Sequence, residues 1–179
     1  MNSIPAAAFL LVKVNQNAKH VLSSIRMSQY IRWAATTYGP FQVIAYLEGE
    51  NHEQLAEHIE QLRSQEGILE VDARMCKTIP GDEELKPFQV QKPEASVILL
   101  GVNYKEEKER VVTYHLRDVL GIRLARAMWG PSDIIVVAEA DDHESMRNLI
   151  CDQIKVMKGV ASCTTLYCYP NSLNPSPAT

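Results

Sequence analysis

IRWAATTYGPFQVIAYLEGENHE, residues 31–53, returns as IRLARAMWGPSDIIVVAEADDHE at residues 122–144. At a constant offset the pairs Ile31/Ile122, Arg32/Arg123, Ala34/Ala125, Gly39/Gly130, Pro40/Pro131, Ile44/Ile135, Glu48/Glu139, His52/His143 and Glu53/Glu144 are identical. Tyr38/Trp129, Val43/Ile134, Glu50/Asp141 and Asn51/Asp142 are close substitutions. That density of matches marks an internal duplication. A chain of 179 residues then divides into two units of about 80–90 residues, near the lower end of domain size.

Working outward from the first copy, Phe9–Val14 is a run of strand formers that stops at Asn15-Gln16-Asn17. Ala18, Val21, Leu22 and Ile25 follow helical spacing. Tyr30–Tyr38 and Phe41–Leu47 are strands joined through Gly39-Pro40. Asn51 is placed to cap a second helix whose buried face is Leu55, Ile59 and Leu62, and Glu53 suits its first turn. Gly67 closes that helix, and Ile68–Thr78 is the fourth strand. The order is β-α-β-β-α-β, the ferredoxin-like split unit.

The second copy repeats it: strand Ala95–Val102, helix Glu106–Leu120, strands Ile122–Trp129 and Ser132–Ala138, helix His143–Lys158, strand Val160–Tyr169. One extra residue enters between Glu144 and Gly159, relative to Glu53 and Gly67. The expected organisation is a first repeat at 1–78, a Pro- and acid-rich linker at 79–94, a second repeat at 95–170 and a loose Pro/Asn/Ser tail at 171–179.

Composition narrows the function classes. Apolar residues are 46% and charged residues 22%, ordinary for a globular protein, and the net charge of -4 leaves no electrostatic footprint for nucleic acid. No apolar run approaches the ~20 residues of a membrane span, and Met1–Pro5 lacks a signal-peptide pattern. A cytoplasmic location and four reduced cysteines follow as expectations.

The strand pattern adds a constraint. A sheet with helices on one face and water on the other alternates apolar and polar residues. Val97-Ile98-Leu99-Leu100, Ile134-Ile135-Val136-Val137 and Phe41–Leu47 are instead nearly continuous apolar runs. Each large side chain left wet would forgo about 1.5–3 kcal/mol. The expected fold is therefore α+β, two ferredoxin-like βαββαβ repeats packed sheet to sheet as an intrachain dimeric α/β barrel.

This arrangement, with its Gly-Pro-x-x-[Val/Ile]-Ile segment, resembles the effector-binding (RAM) domain of the Lrp/AsnC transcription regulators. The resemblance covers about Ala6–Lys77 and Ala95–Tyr169. It matches best in the second copy, at Gly130 and Asp133 in the turn, Gly159-Val160 after the helix and Thr165 in the last strand. The first copy keeps Gly39 and Gly67-Ile68 but carries Gln42 and Ala73 where the second has Asp133 and Thr165. The helix-turn-helix of such regulators has no counterpart before the first strand, so the resemblance implies a stand-alone module without direct DNA contact.

The resemblance implies a ligand site at Trp129, Gly130, Pro131, Asp133 and Thr165, with Tyr38, Gly39 and Gln42 as the first copy's version. Against that stands plain turn chemistry, which explains Gly39-Pro40 and Gly130-Pro131 unaided. Asp133 could hold a ligand ammonium group or cap its own turn. Arg32 and Arg123 either bind a carboxylate or pair with Glu48 and Glu139, the pair being the default. His52 and His143 read as exposed first-turn residues, and Cys76 and Cys168 as small buried strand residues. No metal-site spacing, P-loop or hydrolytic signature appears.

The expectation is thus a non-catalytic module, without a cofactor, that binds an amino-acid-like effector, forms homo-oligomers and modulates a DNA-binding Lrp/AsnC regulator. The alternatives are a barrel enzyme of the small monooxygenase or haem-processing type, favoured by a deep cavity holding His115 or a cysteine, and a purely structural protein-binding adaptor.

Overall fold

The computed structural model describes residues 4–15 and 17–169; the tail expected to be loose lies outside them. By Cα proximity the chain falls into two compact units that meet between Pro87 and Phe88.

In the first unit the elements run β1 (Ala6–Val14), α1 (Ala18–Arg26), β2 (Ile31–Thr36), β3 (Val43–Gly49), α2 (His52–Arg63) and β4 (Ile68–Met75). The strands form one antiparallel sheet in the order β2-β3-β1-β4. Leu10, Val12, Val43, Ala45 and Leu47 point to the helical face and pack with Val21, Leu22, Ile25, Leu55, Ile59 and Leu62. The helix caps are side-chain amides: Asn17 Oδ1 accepts from Lys19 N at 3.0 Å, and Asn51 Oδ1 from Gln54 N at 2.9 Å.

A short 3₁₀ turn, Asp82–Glu84, follows. The second unit then repeats the order as β5 (Glu94–Val102), α3 (Glu109–Arg117), β6 (Ile122–Ala127), β7 (Ile134–Ala140), α4 (His143–Asn148) and β8 (Val160–Tyr167), with sheet order β6-β7-β5-β8. Its helical-face core is Ile98, Leu100, Val112, Leu116, Ala125, Ile134, Val136, Met146, Ile150 and Ile154.

The opposite face of each sheet is also largely dry over its central strands. Phe9, Leu11, Ile44 and Tyr46 in the first unit, and Val97, Ile135 and Val137 in the second, are at most 2% exposed although none belongs to a helical-face core. The continuous apolar runs of the sequence are thus strands buried on both sides.

The extra residue of the second copy has a structural address. Helix α2 is α-helical throughout, whereas α4 continues into a π-helical segment, Leu149–Ile154, in which Lys155 N bonds to Ile150 O at 2.9 Å. Ile59 and Leu62 are three residues apart; their counterparts Ile150 and Ile154 are four apart, and all four are buried. The wider i→i+5 turn absorbs the insertion among exposed Cys151, Asp152 and Gln153 and returns Ile154 to the core. Helix ends also shift: α3 begins at Glu109 rather than Glu106, because residues 103–108 form a turn in which Glu106 and Glu107 N–H bond to Asn103 O.

Deleting Asp152 should leave a folded protein with a continuous α-helix and stability within about 1 kcal/mol of the parent, since no buried group is lost. Ile154→Ala should cost about 2–5 kcal/mol by opening a cavity. Urea denaturation of both variants checks the pair.

Candidate functional site

The two Gly-Pro turns are built alike. Gly39 and Gly130 have φ of 117° and 119°, a region in which a side chain is strained, so a glycine ends each hairpin approach. Thr37 N bonds to Gln42 O at 3.0 Å and, in the second copy, Met128 N to Asp133 O at 2.9 Å. The side chains then reach back to the end of the first strand: Gln42 Oε1 accepts from Val14 N at 3.0 Å and Asp133 Oδ2 from Val102 N at 2.8 Å. Gln42 and Asp133 therefore do the same local work, which is why the exchange is tolerated.

Trp129, Gly130, Pro131 and Asp133 are contiguous on one turn, and Trp129 is 63% exposed; Tyr38 is 51% exposed beside Gly39. Thr165 is not beside them. It stands on β8 opposite Ile98, on the far side of β5 from β7.

Asp133 has a second partner. Tyr104 Oη lies 3.0 Å from Asp133 Oδ1 and 2.9 Å from Glu109 Oε2. One O–H proton serves one acceptor at a time, so the hydroxyl alternates between two carboxylates. Loss of water around the hydroxyl, together with these two carboxylates, raises the Tyr104 pKa above the usual tyrosine value.

A different constellation stands on the non-helical face of the first sheet. The register places Trp33, Tyr46, Phe9 and Arg74 in one row across four strands. The Phe9 and Tyr46 rings lie 4.8 Å apart, and Tyr46 Oη donates to Glu48 Oε1 at 2.9 Å. Arg74 is held in a fork by Asp72, Nε to Oδ1 at 2.8 Å and Nη2 to Oδ2 at 2.7 Å. Its Nη1 is buried and meets no hydrogen-bond acceptor among the described residues. In the second unit the matching face carries Leu124, Val137 and Val97 in one row and Arg126, Ile135 and Leu99 in the next. Arg126 is 3% exposed, a guanidinium in an apolar strand.

Sequence reasoning missed both arginines. Arg74 alternates with apolar residues in Val71-Asp72-Ala73-Arg74-Met75, and Arg126 interrupts Leu124-Ala125-Arg126-Ala127. For Arg126 the available signal was a charge at an inward position of a buried strand; Arg74 stands on a half-buried edge strand, where a charge is ordinary.

Arg32 and Glu48 form the expected pair, Nε to Oε2 at 3.3 Å; Arg123 and Glu139 lie 3.7 Å apart. The histidines sit on helices: His20 on α1, His52 and His58 on α2, His115 on α3 and His143 on α4. His115 is exposed rather than in a cavity. All four cysteines are free thiols, and burial pushes Cys168 up to about 12. Among the described residues no group of three or more His, Cys, Asp or Glu could hold a metal ion, and no helix is long and apolar enough to cross a membrane.

No protein-family model matches the sequence, and no curated protein matches it. Solved structures do. The siroheme decarboxylase NirDL aligns with a TM-score of 0.66 at 10% identity over 90% of this chain and 70% of its own. The same decarboxylase in complex with an iron-uroporphyrin III analogue aligns at 0.65. A variant chlorite dismutase from Candidatus Nitrospira defluvii aligns at 0.61 with 12% identity, over 98% of this chain and 93% of its own. A monooxygenase-like protein from Lactobacillus acidophilus aligns at 0.54 with 10% identity, over 93% of each chain.

The likeness shows the fold: two ferredoxin-like βαββαβ units of the dimeric α/β-barrel class. It also overturns two expectations, that the chain is an effector-sensing Lrp/AsnC-type module and that it is not an enzyme. The structures sharing its fold across nine-tenths of its length are enzymes by name. A transcriptional regulator–L-Met complex from Neisseria meningitidis reaches a TM-score of only 0.38 over 66% of the chain, too loose to carry an argument. The features that suggested the regulator, a Gly-Pro hairpin turn and a capped helix, are demands of the backbone.

Asp133→Ala should lose about 1–3 kcal/mol by stranding the Val102 N–H, whereas Asp133→Asn, which keeps a carbonyl acceptor as Gln42 does, should recover most of it; thermal denaturation separates them. Because Tyr104 ionises later in the folded state, its contribution to stability is complete below pH 10.0 and is lost as pH rises beyond it. Spectrophotometric titration should show a late tyrosinate phase that Tyr104→Phe removes.

Proposed function

We propose that the chain is a barrel enzyme of the haem-processing type that acts on a flat, carboxylate-bearing substrate of the tetrapyrrole class. The observation carrying this is the row Trp33–Tyr46–Phe9–Arg74. Three aromatic rings give a flat ring system a stacking surface, and Arg74 ends the row with a buried Nη1 that still has protons to donate. Such a donor, already oriented by Asp72, suits a substrate carboxylate. The likeness to a siroheme decarboxylase, also solved with an iron-uroporphyrin III analogue, supports the same substrate class.

The tetrapyrrole enters this proposal as substrate. A resident haem needs an axial donor such as a histidine or a thiolate. The histidines stand on helices, away from the non-helical faces, and Cys168 is held neutral by burial. The row itself holds no histidine or cysteine to serve as an axial donor.

In the reaction proposed, a substrate carboxylate leaves as CO₂ and the carbon that keeps the bonding electron pair takes up a proton. Tyr46 carries a proton at the row. Its partner Glu48 lines an open groove, a path by which that proton is replaced from solvent. Phe9, Tyr46 and Trp33 are 0%, 2% and 7% exposed, so substrate enters through an opened state and binding is coupled to a conformational step.

Titrating the protein with iron-uroporphyrin III should give a saturable shift of the Soret band, and mass spectrometry should show loss of carboxyl groups on turnover. Arg74→Gln should weaken binding about tenfold or more, the worth of a charge-assisted hydrogen bond. An unchanged spectrum, or equal affinity of parent and Arg74→Gln, sinks the proposal.

A further inference from the structure

The duplication leaves one groove in two states. In the second unit, the segment Gln89-Val90-Gln91-Lys92 lies against β6 and β7, bends at Lys92, and is held by four contacts. Arg123 Nε donates to Gln89 O at 3.0 Å. Gln91 N and Lys92 N both donate to Glu139 Oε2, at 2.6 and 3.1 Å. Lys92 Nζ reaches Asp141 Oδ2 at 3.2 Å, and Val90 between them is 6% exposed. Three of the four contacts are to the peptide backbone, so the site selects a short bent segment with two successive N–H groups turned to one carboxylate, and an apolar residue followed two positions later by a cation.

The first unit keeps the recognition set. Arg32, Glu48 and Glu50 stand at the positions of Arg123, Glu139 and Asp141. Here they border an open groove of about 490 Å³, whose wall also includes Pro5, Gln29 and Tyr30. Arg32 spends its donors on Glu48 at 3.3 Å and Gln29 O at 3.1 Å, in place of the peptide carbonyl that Arg123 holds. Glu50 is exposed.

We propose that this groove docks a short peptide segment of a partner protein, of the pattern apolar–any–Lys/Arg and bent as residues 89–92 are, with two consecutive backbone N–H groups on Glu48 and the basic side chain on Glu50. The chain's own lead has the wrong chemistry for it. Pro5 matches Pro93, which puts polar Asn2 at the position of Val90 and uncharged Ile4 at that of Lys92. Glu48 and Glu50 together favour a basic side chain, which residues 2–5 do not carry. The groove is thus a protein-docking site on the edge of the first sheet; it touches the row only through Glu48, which accepts from Tyr46 Oη, and docking read at Glu50 stands whether or not that row binds a tetrapyrrole.

The test is fluorescence anisotropy of the labelled peptide acetyl-Phe-Gln-Val-Gln-Lys-Pro-amide, the sequence of residues 88–93, against the intact chain. Saturable binding is expected. Glu50→Lys should weaken it by about fivefold or more, as loss and reversal of an exposed ion pair requires. A peptide with Glu in place of its Lys should then regain affinity for that variant and not for the parent. Because Glu50 is exposed, the variant should keep the parent's thermal transition, and the charge swap reads docking independently of folding. No saturable binding, binding indifferent to Glu50→Lys, or binding seen only after residues 1–4 are removed would each overturn the proposal, the last by assigning the groove to the chain's own lead.

Discussion

Burial of both faces of the central strands is the constraint from which the rest of the molecule follows. β1 with β3, and β5 with β7, place large apolar side chains alternately toward the helices and away from them, and nearly all of both sets are buried. A strand in that position has no polar face to mark its register, so register is fixed instead at the ends, by turns and caps. That is where Gln42 and Asp133 tie each hairpin to the strand beside it, and where Asn51 and Asp142 start the second helix of each unit. It also makes any charge on the second face conspicuous. Arg74 is tolerated because Asp72 holds it in a fork.

The two copies diverge in ways that leave the backbone alone. Gln42 and Asp133 differ in charge yet make the same bond. Ala35 in the first copy corresponds to Arg126 in the second, at matched positions of the second strand. The added residue of the last helix is taken up as one π-helical turn rather than as a frame shift in the core. The Arg-Glu pair that both copies inherited is filled by a peptide segment in one and open in the other. A duplicated unit can lose one function and keep another because its fold depends on apolar faces and its chemistry on a few polar positions.

The fold was legible because its signals are periodic and local. Helical spacing at Leu55, Ile59 and Leu62, the cap at Asn51, and the unbroken run Ile134-Ile135-Val136-Val137 each report on their own segment, and the repeat doubles every signal. Boundaries moved by a few residues where a turn competed with an element, as at Asn103 before α3. The turn residues were a weaker guide to function. Trp129, Gly130, Pro131 and Asp133 attract notice as a motif, yet the carboxylate of Asp133 is engaged with Val102 N and Tyr104, and Thr165 stands across β5 from it.

By itself the sequence determined the duplication, the α+β order of each half and the two-sided burial of the central strands, since these are written in neighbours a few residues apart. Only tertiary structure decided which side chains share a row. Trp33, Tyr46, Phe9 and Arg74 come from four strands, and their register depends on bulges at Trp33 and Val14 that no local pattern announces. Nor could spacing show that Glu139 holds the linker while Glu48 borders an open groove, for the same residue types at the same offset serve both. Contacts between distant segments are set by how faces pack, and packing is a property of the whole fold.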